Sequence, residues 1–271
     1  MEKIYYYINN QFIESSEAKV PFNDSGFLYG YGLFETMRFD NRKIFSPIKH
    51  LSRLQKGLDI IHLINNKNMN ELLSLLNLVI TKNNLSSGII RLMITKGDIE
   101  KKTSSIYISI KPFYKIPTEP IKIIYLNETR FPIIRFTPAI KSMNYIGNML
   151  AKNYADAKGA FEPVFYNNNN IITECAIRNI FYIKDNLILT PSLDLGILSG
   201  VMRETIIDVI KSMGLELKET HISQKDIFDM DEAFISSTGI GLLPCYWDGW
   251  KSDFLITTKI KKELFKRIKN N

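Results

Sequence analysis

Apolar side chains recur at helical spacing in the first third of the chain. Ser46-Pro47 places a capping residue before proline, the usual start of a helix. The stripe of this predicted helix is formed by Leu51, Leu54, Leu58 and Ile61. A second helix is predicted at 70–82, and its apolar face consists of Leu72, Leu73, Leu76, Val79 and Ile80. Both helices should pack one face against a core.

Alternating patterns predict strands around these helices. Residues 4–7 and 11–14 form a predicted hairpin that turns at Asn9-Asn10, and further strands are predicted at 89–95 and 104–111. In strand 89–95 the residues alternate between two faces, one with Ile90, Leu92 and Ile94 and the other with Ile89, Arg91, Met93 and Thr95. Three prolines then interrupt residues 112–120, which makes this segment the best candidate for a domain boundary.

The second half mixes strands and helices. The predicted strands are 121–127, 178–184, 187–190 and 232–237, and the predicted helices are 143–158, a segment opening at 196–204 and ending near 213, and 252–268. The run of asparagines at 167–170 predicts a turn. The chain is therefore expected to be α/β (α+β), with a smaller N-terminal domain at 1–115, a linker at 116–124 and a larger C-terminal domain at 125–271.

Composition indicates the class of protein but does not identify its function. Apolar residues make up 45% and charged residues 23% of the 271 residues, as in ordinary globular proteins. The net charge of +7 comes from scattered lysines, so an anionic small molecule is at least as good a partner as nucleic acid. Two cysteines do not make a disulfide framework, which favours the cytoplasm, and no metal-binding Cys/His spacing is present. The apolar runs are too short to predict a membrane span.

Four stretches could carry chemistry. Three glycines lie close together among aromatic residues at 26–38, and a glycine-bearing loop opens the helix near Gly200. Helix N-termini of this kind suit phosphate, as does the small-residue segment 236–241, although ordinary turns have the same composition. Lys141 follows apolar Ala139-Ile140, where burial would lower the amine pKa and permit reaction with an aldehyde. Taken alone, a lysine at this position is far more often a surface residue at a helix start, because lysine is abundant in this chain.

The order and spacing of these stretches resemble one enzyme family. The chain is similar to the fold-type IV pyridoxal-phosphate enzymes, which include branched-chain aminotransferases, D-amino acid aminotransferases and aminodeoxychorismate lyases. The resemblance rests on the Gly26-to-Arg38 loop, His50-Leu51-Ser52-Arg53-Leu54, Lys141 with Asn144, Thr173-Glu174 with Asn179, Gly200-Val201-Met202-Arg203, and Ser237-Thr238. It implies a homodimer, with pyridoxal 5'-phosphate between a small α/β domain and a larger barrel-like one.

The resemblance also assigns roles to residues. Lys141 would hold the cofactor and move the substrate proton, while Glu174 would face the pyridine nitrogen and keep it protonated. The other implied cofactor-binding residues are Arg53, Val201, Met202 and Thr238 at the phosphate, Tyr145 at the ring hydroxyl, and Asn179. The implied substrate-binding residues are Phe34, Tyr29, Thr36, Arg38, Arg91 and Gly239.

Two reactions remain open within this family. The first is transamination between an amino acid, of branched-chain type, and a 2-oxo acid such as 2-oxoglutarate; Glu35 and Ser237-Thr238 resemble the aminotransferases. The second is elimination of pyruvate from 4-amino-4-deoxychorismate to give 4-aminobenzoate. Met202, where many aminotransferases have threonine, and Thr36 resemble the lyases. A third hypothesis, a basic binding module without cofactor, predicts salt-dependent binding to an anionic polymer.

Overall fold

The chain folds into two compact units. The computed structural model describes residues 3–100, 103–113 and 115–270. The first unit comprises the chain up to Lys115 together with Ile140–Asn144, and the second comprises Ile116–Ala139 and Tyr145–Asn270. The domain limits expected from the proline-rich segment stay a prediction.

The first unit is built on a six-stranded antiparallel sheet in the order β2-β1-β6-β5-β3-β4. Its strands are β1 (Tyr5–Ile8), β2 (Gln11–Glu14), β3 (Gly32–Asp40), β4 (Lys43–Ile44), β5 (Gly88–Asp98) and β6 (Thr103–Lys111). Its helices are α1 (Ser25–Tyr29), α2 (Pro47–Ile60) and α3 (Met69–Lys82). The predicted hairpin, both long helices and both strands at 89–95 and 104–111 are thus present, within one or two residues at most ends.

The apolar stripe of α2 lies in the core of this unit. Leu51, Leu54 and Leu58 are buried, while Ile61 packs against the same core from just beyond the helix end. The predicted capping role of Ser46 is wrong: its φ is 46° and its side chain makes no capping hydrogen bond. Pro47 nevertheless begins the helix, because its fixed φ suits the first helical position.

One face of strand β3 packs into the core, and the opposite face is available for a candidate active site. Leu33, Met37 and Phe39 point into the core with the α2 stripe. Side chains alternate along a strand, so Phe34, Thr36 and Arg38 lie on the opposite face. The latter three side chains therefore take no part in the core packing that Leu33, Met37 and Phe39 provide.

The second unit is built on an eight-stranded mixed sheet that curls into a half-barrel, in the order β12-β11-β10-β13-β14-β7-β8-β9. Its strands are β7 (Ile121–Asn127), β8 (Glu162–Tyr166), β9 (Ile172–Cys175), β10 (Asn179–Lys184), β11 (Leu187–Pro191), β12 (Leu217–Thr220), β13 (Glu232–Ser237) and β14 (Gly241–Tyr246). Its helices are α4 (Ile146–Ala157), α5 (Val201–Ser212) and α6 (Leu255–Asn270). In the part of the chain that the structure describes, no helix is long and apolar enough to cross a membrane.

The helix expected from residue 143 begins later than the sequence pattern indicated. Helix α4 starts at Ile146, and residues 141–143 lie before it and outside any helix. They pair with the start of β3, where Leu33 and Ser142 form a bridge. The backbone N–H of Phe34 donates to the carbonyl of Lys141 (3.1 Å), and that of Met143 donates to Gly32 (3.0 Å). Pairing with a distant strand therefore overrides the local helical pattern.

Candidate active site

Lys141 is held on a strand-like segment, so the position of its amine is set by the sheet. Its carbonyl accepts a hydrogen bond from Phe34, as described above, and its Nζ lies 4.5 Å from the centroid of the Phe34 ring. An ammonium or amine against an aromatic face is a favourable contact. The backbone pairing and the ring contact together direct the Lys141 side chain towards the face of β3 that bears Phe34.

Two glycines allow the loop before β3 to approach the Lys141 segment. A Cβ on Gly32 would lie 2.7 Å from the carbonyl oxygen of Ile94 and 2.8 Å from Sδ of Met143. Gly30 has a φ of 65° and would collide with the amide of Asn144, which itself donates to the Gly30 carbonyl (3.2 Å). Larger side chains at either position would push the two segments apart, which explains why the sequence has glycine there.

The implied substrate residues on β3 and β5 share one face of the sheet of the first unit. Thr36 and Arg91 are direct partners across β3 and β5, and Arg91 Nε donates to Thr36 Oγ1 at 3.3 Å. The Arg91 guanidinium lies 4.9 Å from the centroid of the Phe34 ring, the same ring that contacts Lys141. Arg38 stacks on Phe113 at 5.1 Å. Tyr29 ends α1 and is 66% exposed.

Arg53 belongs to a buried ionic cluster with Glu35 and His50. Its Nε and Nη2 donate to the two oxygens of Glu35 at 2.8 and 2.7 Å, and His50 Nδ1 lies 2.7 Å from the same carboxylate. Burial would raise the pKa of Glu35, but Arg53 and His50 outweigh it and lower the pKa to about 2. Burial also lowers the pKa of His50, although Glu35 opposes this. The carboxylate thus fixes the orientation of Arg53.

Sequence reasoning overlooked the part that Glu35 and His50 play in orienting Arg53. A signal was available: Glu35 occupies a core-facing position between Leu33 and Met37 on an alternating strand. A buried carboxylate at such a position requires a charged or hydrogen-bonding partner. The partner comes from α2, where His50 and Arg53 lie three residues apart and therefore on neighbouring parts of the helix surface.

In the second unit, Glu174 lies in β9, one residue before the end of the strand, and its carboxylate has a fixed orientation. Arg135 Nη1 donates to its Oε1 at 2.9 Å, and the backbone N–H of Leu198 donates to its Oε2 at 3.2 Å. Asn179 donates to the carbonyl of Leu198 at 3.0 Å, so the implied residues Glu174 and Asn179 hold the same loop. Arg135 was not recognised from the sequence, because it lies in an irregular segment with no periodic pattern.

The loop held by Asn179 leads into the N-terminus of α5. Gly200 caps this helix without a side chain, and a Cβ there would collide with the Asn179 amide. The first helical residues, Val201 and Met202, are buried, and no capping side chain occupies their N–H groups. Thr238 and Gly239 are buried in the turn between β13 and β14. Tyr145 precedes α4 and is half-buried.

These groups fit pyridoxal 5'-phosphate by their chemistry. The side-chain-free start of α5 suits a phosphate, because the N–H groups and the helix dipole both favour an anion. The fixed carboxylate of Glu174 suits a protonated ring nitrogen, and the Lys141 amine suits an aldehyde. The first unit contains Lys141 and Arg53, and the second contains Glu174, Tyr145, Asn179, Val201, Met202 and Thr238.

Comparison with known proteins agrees with this chemistry. The family model described as amino-transferase class IV matches residues 32–246. A D-alanine aminotransferase from Listeria monocytogenes is 33% identical over 247 residues, which are 88% of this chain and 85% of the relative. The Escherichia coli branched-chain amino acid aminotransferase structure has a TM-score of 0.90 at 26% identity, covering 98% of this chain and 95% of the other. A putative 4-amino-4-deoxychorismate lyase from Legionella pneumophila has a TM-score of 0.85 at 25% identity, covering 93% and 96%.

Proposed function

This chain belongs to the class IV aminotransferase family and is a pyridoxal-phosphate-dependent enzyme, and we propose that it exchanges an amino group between a branched-chain type amino acid and a 2-oxo acid such as 2-oxoglutarate. Similarity to proteins named as D-alanine and branched-chain aminotransferases supports transamination as the reaction. The choice of substrates rests on the residues around Phe34.

Lys141 is the proposed catalytic base. The bound cofactor supplies an electron sink for the negative charge that develops on the substrate. Lys141 Nζ takes the proton from the substrate α-carbon, and pairing of residues 141–143 with β3 holds that atom in place. General-base transfer requires such fixed placement, since the proton moves over a single hydrogen-bond distance.

The remaining cofactor residues have positional roles in this proposal. Glu174 keeps the ring nitrogen protonated, because a nearby anion favours the charged form. Arg53, the N–H groups of Val201 and Met202, and the hydroxyl of Thr238 bind the phosphate. Tyr145 contacts the ring hydroxyl, and Asn179 supports the loop that precedes α5.

The observation that carries the substrate assignment is the shared contact on Phe34. Lys141 Nζ and the Arg91 guanidinium both lie within 4.9 Å of the centroid of this ring. An arginine near the reacting amine can bind a substrate carboxylate bidentately, and the ring offers an apolar surface to an aliphatic side chain. Tyr29, Arg38 and Gly239 complete the proposed substrate residues.

Purified holoenzyme provides the test of this function. L-leucine, L-glutamate and D-alanine are added singly, and conversion of the cofactor to its pyridoxamine form is followed by absorbance. L-leucine or L-glutamate should convert it, and 2-oxoglutarate should restore the original spectrum. Conversion by D-alanine alone would support transamination but contradict the branched-chain assignment. Borohydride reduction and peptide mapping should place the pyridoxyl mass on Lys141, and Lys141→Ala should lack turnover. A mass on another lysine, or conversion by no amino acid, would contradict the proposal.

Replacing Arg91 separates substrate binding from chemistry. In this proposal the Arg91 guanidinium binds the distal carboxylate of 2-oxoglutarate. For Arg91→Met we therefore expect KM for this acceptor to rise by about tenfold or more, the effect of losing a charge-assisted pair. Pyruvate lacks the distal carboxylate and is the control acceptor, so its KM should change far less. Equal effects on both acceptors would exclude Arg91 as the distal carboxylate ligand.

The lyase remains a second candidate because of Thr36. Its hydroxyl lies on the same face as Phe34 and accepts a hydrogen bond from Arg91, which places a polar group beside the proposed substrate. The similarity to the putative lyase of Legionella pneumophila points the same way. Incubation with 4-amino-4-deoxychorismate and detection of 4-aminobenzoate distinguishes the two reactions.

We also propose a homodimer in the cytoplasm. Val20, Phe22, Phe27, Leu28 and Tyr29 are all exposed apolar side chains close together in sequence, and such a group favours a protein partner. Both cysteines, Cys175 and Cys245, are buried free thiols, as expected in a reducing compartment.

A further inference from the structure

Arg135 is shared between two carboxylates of the second unit. Its Nε and Nη2 donate to Glu128 Oε2 at 3.0 and 2.7 Å, while its Nη1 donates to Glu174 Oε1 at 2.9 Å. Nη2 also donates to the Thr173 hydroxyl at 2.9 Å. All three charged side chains are about 19% exposed, so solvent screens their interaction only in part.

The charges in this cluster do not cancel. One arginine faces two carboxylates, which leaves a net charge of −1 on the group formed by Glu128, Arg135 and Glu174. Burial alone would lower the pKa of Arg135, but Glu174 and Glu128 raise it above its usual value, so the arginine stays charged. With Arg135 and Glu174 alone, the pair would be neutral and a weak partner for a further cation.

We infer that Glu128 is a positioning residue that also sets the charge of this cluster. Because Glu128 balances the charge of Arg135, the arginine can orient Glu174 while the cluster keeps the negative charge that the ring nitrogen needs. The inference rests on the proposed role of Glu174 opposite that nitrogen. Glu128 acts only through Arg135 and touches no substrate in this scheme. A purely structural ion pair would give the same distances, so the test must report on the ring nitrogen itself.

Binding to the apoenzyme provides that report. Equilibrium dialysis measures the affinity for pyridoxal 5'-phosphate and for an analogue whose ring nitrogen is replaced by C–H. The ratio of the two affinities isolates the nitrogen, since both molecules have the same aldehyde and phosphate. Glu128→Gln keeps the shape and a hydrogen-bond acceptor but removes the charge. We expect it to reduce the preference for pyridoxal 5'-phosphate about tenfold, the scale of removing one partly screened charge from the cluster that contains Glu174.

Three variants serve as controls. Thr173→Val removes an uncharged group that accepts from Arg135 and donates to Glu128 Oε2 (3.3 Å), without changing the charge of the cluster. Asp248→Asn removes a carboxylate that is 82% exposed in the same unit. Neither should change the ratio. Glu174→Gln should reduce the ratio by more than Glu128→Gln does, and Glu128→Gln should add nothing when combined with it.

The outcomes separate the inference from the function that it builds on. An unchanged ratio in Glu174→Gln overturns the proposed role of Glu174, and the inference with it. A lower ratio in Glu174→Gln with no change in Glu128→Gln overturns the inference alone. If Glu128→Gln lowers the affinity for both ligands equally, or if Thr173→Val changes the ratio, Glu128 has a structural role. Either result also overturns the inference.

Discussion

Glu35 shows how one residue can link stability to the candidate site. It is fully buried, yet Arg53 and His50 keep it ionised by direct hydrogen bonds. Removing one member of a buried ion pair leaves the other charge without compensation. The free energy of unfolding then falls by more than it does when an exposed pair is lost. The phosphate-binding role proposed for Arg53 therefore depends on a carboxylate that points away from the substrate face of the same strand.

Stability should fall in acid because of this carboxylate. The pKa of Glu35 is about 2 in the folded chain against a usual 4.5. A lowered carboxyl pKa contributes stability that is complete above 4.5 and is lost as the pH falls towards 2. For Glu35→Gln we expect a loss of about 3 kcal/mol in the free energy of unfolding at neutral pH. Urea unfolding at a series of pH values measures it.

The control for this prediction is Glu263→Gln, which changes an exposed glutamate of α6. Its free energy of unfolding should stay within about 0.5 kcal/mol of the unsubstituted chain. The acid dependence between pH 4.5 and 2 should persist there and be reduced in Glu35→Gln. A similar acid dependence in both variants would show that other carboxylates dominate.

At the scale of elements, α2 and α3 have equal length but different N-termini. The Asn68 side chain accepts from the N–H groups of Asn70 (3.0 Å) and Glu71 (3.1 Å), and Glu71 accepts from the Asn68 N–H (2.7 Å). This is a complete capping box. Ser46 precedes α2 with a left-handed backbone, so its hydroxyl makes no capping bond.

The two N-termini should therefore respond differently to alanine. We expect Asn68→Ala to lower the free energy of unfolding by about 1 kcal/mol, the usual value of an N-cap. Ser46→Ala, the matched variant, should change it by less than about 0.5 kcal/mol. Chemical denaturation of both variants checks the difference, and a larger loss in Ser46→Ala than in Asn68→Ala would contradict the assigned caps.

At the scale of the whole molecule, exposed apolar side chains are concentrated before β3. Phe22 is 81% and Phe27 is 62% exposed, and their rings lie 6.0 Å apart. Solvent-exposed aromatic pairs are unfavourable in an isolated chain unless a partner covers them. The segment also leads directly into Tyr29 and Gly30, so a partner bound here would lie next to proposed substrate residues.

A dimer should therefore depend on this segment. The single chain has a mass of 31.3 kDa, and we expect light scattering after size exclusion to give twice that value. Phe27→Arg should shift the population towards the single-chain mass, because a buried unpaired charge opposes association. Phe265→Arg, at a residue 56% exposed on α6, is the control and should remain dimeric. The reverse pattern would place the interface on the second unit.

Much of the fold could be predicted from the sequence because its elements have strong local signals. Helices α2 and α3 have apolar stripes, and β5, β6, β7, β10 and β13 are strongly apolar or alternating. Strands β3, β4, β12 and β14 were not among the predicted strands. Strand β12 is short and largely exposed, and β14 begins at a glycine and contains a proline. Their membership in the sheet depends on neighbours rather than on their own composition.

The sequence by itself determined the family of the protein and the two long helices of its first unit, and it predicted which residues bind a cofactor. These features depend on residue type and spacing along the chain. Only the tertiary structure decided that residues 141–143 extend beside β3, that Glu35 orients Arg53, and that Arg135 joins Glu128 to Glu174. Each of these contacts joins residues from separate elements. No local pattern predicts which distant residue will hydrogen-bond to a buried backbone group or pair with a buried charge.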